Sequence, residues 1–418
     1  MVRPKTAKRQ RVISPPAALS DVEPKHEQFT TWARDQGVEI NGVLPKSLHG
    51  RGLGLVTTTR ISKDDRILFI PEETMFKPDL KTLQQQNLQR ISSQAKLAIS
   101  ALLHFTAKDV GVKLWRDTWP TVTDFESCMP MYWSREVIKN LPSSSLSSLK
   151  RQQADYMKDW NACQLAVENA GHNEHLFKYY WMIVNSRSFH WSPPKGGAGY
   201  MVMCPFIDYL NHGPTGSGCD VFQRSDGYEV IAQRAYEPGE EILISYGAHI
   251  NEKLLVHYGF ILPYSADKPS VDDEVRIDDQ INTLLSDDVK AQLSDLGYLG
   301  PFALVPVIED NKAHGWEACF KTQVAIRATM LTCNEWEFFA GSGDDLSGDK
   351  SVEVTAVLAK AVQPLLDLAK THCDAVPGAS PADMTIENFE AANNMIKSRW
   401  QQIKGAVESI IKQQKVAR

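Results

Sequence analysis

The sequence predicts an α+β protein: a strand-rich unit split by a helical insert and followed by a second, mainly helical region. Three observations carry this. Short runs of alternating apolar and polar residues, punctuated by glycine, occupy roughly residues 38–70 and return from Met201 to about Pro263. Between them, over about 79–190, the alternation gives way to a 3.6-residue period. Beyond an acidic stretch from Asp267 to Asp279 the chain reads as helix to its end.

The elements follow in order. Residues 1–25 carry Arg3, Lys5, Lys8, Arg9 and Arg11 and then Ser14-Pro15-Pro16, a polar tail that buries too little apolar area to order itself. Its Lys8-Arg9-Gln10-Arg11 cluster reads either as a nuclear import signal or as a solvated tail. Phe29, Trp32 and Ala33 with Gly37 behind them predict a short helix stopped by glycine. Strands are expected over 54–58 and 66–70, joined by the turn Ser62-Lys63-Asp64-Asp65. In the insert, Ile91, Ala95, Leu97, Ala98, Ala101, Leu102 and Phe105 share a helical face. So do Trp160, Cys163, Leu165 and Val167, and later Leu176, Tyr179, Tyr180, Ile183 and Val184.

Asp226-Gly227 between two apolar pairs predicts a hairpin, and Pro238-Gly239 precedes a strand at Ile242–Ile244. The last helix places Phe389, Ala392, Ile396, Trp400, Ile403, Val407 and Ile410 on one stripe, with Ser380 and Asp383 spaced as a capping box. The expected units are a basic tail (1–25), a strand-rich domain (26–265) holding the insert, and an all-α domain (266–418).

Composition removes several function classes. The 418 residues are 43% hydrophobic, with 45 basic and 51 acidic side chains and a net charge of −6. That balance argues against a surface built to grip phosphate backbones, so no nucleic-acid partner is expected. No run approaches the ~18 apolar residues of a membrane-spanning helix. The seven cysteines are dispersed, none in a C-x-x-C pair, so neither a disulfide framework nor a zinc site is expected. The reading is a reduced compartment, cytoplasmic with nuclear entry also open, and a monomer.

Three clusters carry candidate chemistry. Gly50-Arg51-Gly52-Leu53-Gly54-Leu55 leads into a strand rather than a helix, which disfavours a dinucleotide loop. It reads as a loop whose backbone approaches a ligand or another segment closely. Asp208, Asn211 and His212 fall within five residues, in a pattern open to metal ligation, half a catalytic triad or turn capping. Tyr246-Gly247 ends a strand, and His257-Tyr258-Gly259-Phe260 follows one short helix later. Two such tyrosines are either amphipathic core residues or hydroxyls aimed into one pocket.

Taken together and in order, these clusters have a further member, Asn185-Ser186-Arg187-Ser188-Phe189. With Gly-Glu-Glu-Ile-x-x-Ser-Tyr-Gly ending at Gly247, the set resembles the SET-domain protein methyltransferases. It is most similar to the branch typified by the Rubisco large-subunit lysine methyltransferase. The resemblance spans about residues 26–418, with some 60 motif positions specific. It implies several short sheets, a threaded C-terminal segment, a helical insert and a helical substrate-binding domain at the C-terminus.

The resemblance also implies S-adenosyl-L-methionine as methyl donor and a protein lysine as acceptor, on a non-histone target such as a ribosomal or translation protein. Arg51, through its backbone, Gly52 and Leu53 would line the methionine end of the cofactor. Ser186 and Arg187 would hold its carboxylate. Asn211 and His212 would meet the adenine, with Asp208 shaping the turn. Tyr246 would sit beside the reacting methyl, Tyr258 would complete the lysine channel, and Phe260 would wall it. Arg51 departs from the branch, which carries an acidic residue there, and the 246–258 segment is about a residue short. A histidine acceptor and a non-catalytic binding module are the alternatives. Tyr258 favours lysine, because a relative that methylates actin histidine lacks the matching tyrosine.

Overall fold

The computed structural model describes residues 22–106, 110–194, 196–265, 267–310 and 312–416. Most of the basic tail, and with it the Lys8–Arg11 cluster, lies outside them. The first helix, Pro24–Asp35, buries Phe29 completely and ends one residue before Gly37, whose φ of +97° suits only glycine well. Burial of one such phenylalanine is worth roughly 2–3 kcal/mol.

Two four-stranded sheets frame the first unit. One is ordered β1 (Glu39–Ile40), β4 (Arg66–Pro71), β9 (Gly227–Ile231), β8 (Asp220–Gln223). The other is ordered β2 (Val43–Leu48), β3 (Gly52–Thr57), β10 (Glu241–Ile244), β7 (Asn211–His212). Each thus combines strands from before and after the insert. In the second sheet β2 and β3 form a hairpin with Leu48 opposite Gly52, and β10 pairs antiparallel with β3 but parallel with β7. The expected 226–227 hairpin is present, with Asp220 opposite Ile231 and Gln223 opposite Tyr228.

Helices from Leu80–Gln85 to Glu174–Arg187 fill the insert. Two expected stripe positions are misplaced: Ile91 lies in the bend before the helix Ser93–Phe105, which Ser92 caps, and Leu165 faces outward. Trp160, Cys163 and Val167 are buried, but Leu165 is 71% exposed, because at 100° per residue it lies about 200° round the helix from Cys163. Directly after Arg187 the chain turns into β5 (Ser188–Trp191), which pairs with β6 (Tyr200–Met203).

The C-terminal region is helical with one amendment to the all-α expectation. A three-stranded sheet, β11 (Val275–Arg276), β12 (Ala303–Glu309) and β13 (Lys312–Ala318), is added to its helices, two of which, Asp278–Asn282 and Asp287–Asp295, lie between β11 and β12. The acidic stretch supplies β11 and the start of a short helix, Asp278–Asn282. The final helix, Ile386–Val416, buries Ala392, Ile396, Trp400, Ile403, Val407 and Ile410 along its stripe. Its N-terminus is not capped by the Ser380–Asp383 pair. Thr385 Oγ1 accepts from the Asn388 amide at 3.1 Å, whereas the Ser380 hydroxyl donates to the Met384 carbonyl.

Candidate active site

The glycine segment is the tip of the β2–β3 hairpin. Gly50 and Gly52 both have φ of +70°, and a Cβ on either would meet nothing within 4 Å, so the tip is open on the side-chain face. Gly54 is the opposite case: a Cβ there would lie 2.8 Å from Asn211 Nδ2 and 3.0 Å from Glu241 Oε1. Glu241 sits on β10 between hairpin and β7 and joins them. Its carboxylate accepts from Asn211 Nδ2 at 2.9 Å and pairs with Arg51 Nε at 3.1 Å. The Arg51 and Asn211 side chains are therefore spent on each other's carboxylate neighbour, leaving backbone groups for a ligand. Leu53 packs partly buried against the core.

Helix Glu174–Arg187 ends in a segment that ties two others together. Asn185 donates from Nδ2 to the His257 carbonyl, and its Oδ1 lies 3.1 Å from His257 Nδ1. Arg187 Nη1 donates to the Asp208 carbonyl at 3.0 Å and lies 3.4 Å from the Asp208 carboxylate. Between them the Ser186 hydroxyl turns back onto its own helix, donating to the Met182 carbonyl at 2.9 Å.

Asp208 lies in a one-turn 3₁₀ segment, Ile207–Tyr209, entered through Phe206 at φ +71°. A fully buried phenylalanine in that region costs of order 1–3 kcal/mol, held here by rings of Phe29 and Tyr209. Burial pushes the Asp208 carboxyl above the usual range, and Arg187 opposes the shift. Asp208 Oδ1 and Arg187 Nε are both buried without a partner among the described residues.

One strand later the tyrosines converge. Tyr246 donates its hydroxyl proton to the Leu210 carbonyl at 2.7 Å, and its amide donates to His212 Nδ1 at 3.1 Å. Burial pushes His212 down to about 4, so the imidazole is neutral. With Nδ1 accepting, its proton sits on Nε2, which is buried and unpartnered. The Tyr246 ring centre lies 5.2 Å from Tyr258 and 6.5 Å from Phe260. Tyr258 closes the helix Asn251–Tyr258, and Gly259, at φ +76°, caps it. Burial raises both phenols above their ordinary value, so both keep their protons at neutral pH.

Sequence-selected residues thus form two neighbouring groups. Arg187, Asp208, Asn211 and His212 are gathered with the glycine tip through Glu241 and β7, and Tyr246, Tyr258 and Phe260 form a ring cluster against His212. Three participants were not singled out for a role. Glu241 and Asn185 were visible only as motif letters, and His249, stacked 5.9 Å from Tyr258, had no distinguishing neighbours. Two cavities have no tyrosine in their lining: one of about 820 Å³ at the 372–397 segment, and one of about 570 Å³ between the start of helix Ser143–Asn169 and the Asn251–Tyr258 helix, where Glu252, Lys253 and His257 line it.

The residues fit a zwitterionic cofactor. Arg187 has an unused donor, His212 has an unpartnered Nε2–H, and the hairpin tip admits a ligand against bare backbone. Among the described residues no cluster of potential metal ligands exists, and no helix is long and apolar enough to cross a membrane.

Residues 52–247 match the SET domain family. The chain is 23% identical over 339 residues to human SET domain-containing protein 4, covering 75% of this chain and 73% of that protein. It is 26% identical over 269 residues to the pea chloroplast Rubisco large-subunit N-methyltransferase, covering 58% of this chain and 52% of the relative. The mouse SET domain-containing protein 4 is covered over 61% of its length. The crystal structure of the SET domain of LSMT bound to lysine and AdoHcy superposes with a TM-score of 0.59 at 17% identity, over 94% of this chain and 92% of that one. The SET domain family model thus covers residues 52–247, a little under half of the chain, and over nearly its whole length the chain shares its fold with the LSMT structure.

Proposed function

We propose that this chain is a protein-lysine N-methyltransferase using S-adenosyl-L-methionine and acting on a non-histone protein. The single observation that carries the reading is the Tyr246–Tyr258 pair, 5.2 Å apart, which joins the last residues of the SET-domain match to the helix that follows it, with the His212 ring packed against Tyr246. Residues 26–265 would form the catalytic unit and 266–418 the substrate-docking unit. Free cysteines throughout the described residues support action in a reducing compartment, cytosol or nucleus.

When bound, S-adenosyl-L-methionine supplies a methyl group on a sulfonium. Arg187, with Nη1 fixed on Asp208, presents its remaining donors to a carboxylate. The hairpin tip at Gly50–Gly52 gives close backbone approach, and Asn211 and His212 offer backbone edges to a planar base. Tyr246 commits its proton to Leu210, which leaves the oxygen's lone pairs as acceptors toward an amine N–H. Tyr258 makes ring contacts with Tyr246 and His249, and its hydroxyl, without a hydrogen-bond partner among the described residues, would meet the incoming side chain. Phe260 adds an apolar wall.

A lysine at pKa ~10.4 must lose a proton at a cost of roughly 4–5 kcal/mol at pH 7. The half-buried ring cluster and a neighbouring sulfonium would both disfavour the ammonium form, so positioning and desolvation do most of the work and no strong side-chain base is needed. Both tyrosines, held protonated, act as oriented dipoles.

Incubation of the purified chain with methyl-labelled cofactor and a cell lysate should label protein, and Tyr246→Phe should remove the label. Cofactor binding by calorimetry with no labelled protein would leave a binding module instead.

A further inference from the structure

The helix Asn251–Tyr258 that carries Tyr258 is only eight residues, about 12 Å, long. Its first turn has no cap of its own; Ile250 precedes it without a side-chain hydrogen bond. The cap comes from elsewhere. Asp273 Oδ1 accepts from the Asn251 amide at 2.8 Å, and Asp273 Oδ2 pairs with Arg399 Nη1 at 2.7 Å. Arg399, on the final helix Ile386–Val416, is completely buried.

Its guanidinium is shared among four segments. Nη2 pairs with Glu252 Oε1 at 2.7 Å, in the first turn of the tyrosine helix, and donates to the Glu274 carbonyl at 2.9 Å. Nη1 also donates to Gln402 Oε1 at 3.0 Å and to Tyr264 Oη at 3.1 Å. Gln402 extends the link, accepting from Asn251 Nδ2 at 3.1 Å and donating to the Leu262 carbonyl at 2.8 Å. The two carboxylates facing Arg399 hold its proton firmly in place.

The opposite end of the same short helix is fixed by Asn185 at the His257 carbonyl and by Gly259, where a Cβ would lie 2.8 Å from Cys128 Sγ. A rigid rod about 12 Å long that loses one anchor and tilts by ~5° moves its far end by ~1 Å. An apolar plug would hold two segments together equally well. A forked cation shared between Glu252 and Asp273 also fixes direction.

We propose that Arg399 is a positioning residue for Tyr258: the final helix sets the tilt of the 251–258 helix and thereby the gap between the two tyrosine rings. The catalytic consequence rests on the lysine methyltransferase reading; the positional one does not. The C-terminal region then completes the ring cluster as well as any docking surface it offers.

The test uses the full chain labelled with 3-fluorotyrosine, the Tyr258 fluorine resonance being identified by its loss in Tyr258→Phe. Arg399→Met should shift or broaden that resonance. Arg399→Lys, which keeps one charge without the fork, should move it less. Should Arg399→Met fail to fold, the charge-free triple variant Glu252→Gln, Asp273→Asn, Arg399→Met and the single Gln402→Ala carry the same readout. In turnover assays, kcat should fall ~10–100-fold while KM for the cofactor stays within ~2-fold, because ~1 Å of misplacement is enough for such a loss. Arg399→Lys should recover part of it. An unmoved Tyr258 resonance in a folded variant with full turnover overturns the proposal. A moved resonance in a protein whose wild type transfers no methyl supports the positional claim and overturns the enzymatic reading alone.

Discussion

Replacing Arg187 with methionine isolates the buried acid at the heart of the site. The Asp208 side chain is 3% exposed and that of Arg187 23%, so the change strands a carboxylate with little access to water. Breaking such a pair from one side costs about 3–5 kcal/mol. Unfolding entropy near ~2.1 cal/mol/K per residue gives ~0.9 kcal/mol/K for a chain of this size, so the midpoint should fall by ~3–6 °C at pH 8.

The pH dependence fixes the cause. Burial already holds the folded Asp208 pKa above its unfolded value, and removal of the guanidinium raises it further. A raised folded pKa contributes stability that is present at low pH and lost as pH rises through it. The deficit of Arg187→Met should accordingly shrink as pH falls from 8 toward 5. Asp208→Asn added to Arg187→Met should recover most of the midpoint at pH 8. Scanning calorimetry of wild type, both single variants and the double variant at both pH values measures all of this. An equal deficit at pH 5 and pH 8, unrelieved by the asparagine, would refute the stranded-acid argument.

Gly54→Ala would press a methyl to within 2.7 Å of Leu48 Cδ1 and 2.8 Å of Asn211 Nδ2; at about 1–3 kcal/mol of overpacking, it should weaken cofactor binding several-fold by calorimetry. Gly50→Ala, where nothing lies within 4 Å and φ is +70°, should cost only about 1–2 kcal/mol of backbone strain. Burial pushes both His212 and His257 down to about 4, so stability should be lost as pH falls from ~6.5 toward that value, by up to ~1.4 kcal/mol per pH unit for each. His257→Gln should remove one proton's share of that slope in denaturant titrations between pH 4.5 and 7.

Much of the first unit was legible because its elements announce themselves locally. Alternation at Arg66–Pro71, a turn before Gly227 and Pro238-Gly239 before β10 each place a strand without tertiary help. What escaped detection depends on long-range partners. Glu241 and Arg399 look like solvated charges in sequence, yet one bridges a hairpin to β7 and the other is fully buried among segments more than a hundred residues away. Leu165 was misread because apolar identity was weighed without its angular position. The sheet at 275–318 was hidden by Pro306 and by a register shift between Pro306 and Ile308, both foreign to a simple alternating pattern. The glycine tip showed its need for close approach, but the partner that makes Gly54 obligatory, Asn211, lies far off in the chain.

The central claim is methyl transfer to an amine between Tyr246 and Tyr258. Its most direct test is tandem mass spectrometry of lysate proteins after incubation with trideuteromethyl-labelled S-adenosyl-L-methionine and the purified chain. The account predicts the heavy methyl on a lysine Nε, present with wild type and absent with Tyr246→Phe. A heavy methyl on an imidazole nitrogen, or equal labelling by the phenylalanine variant, would contradict it.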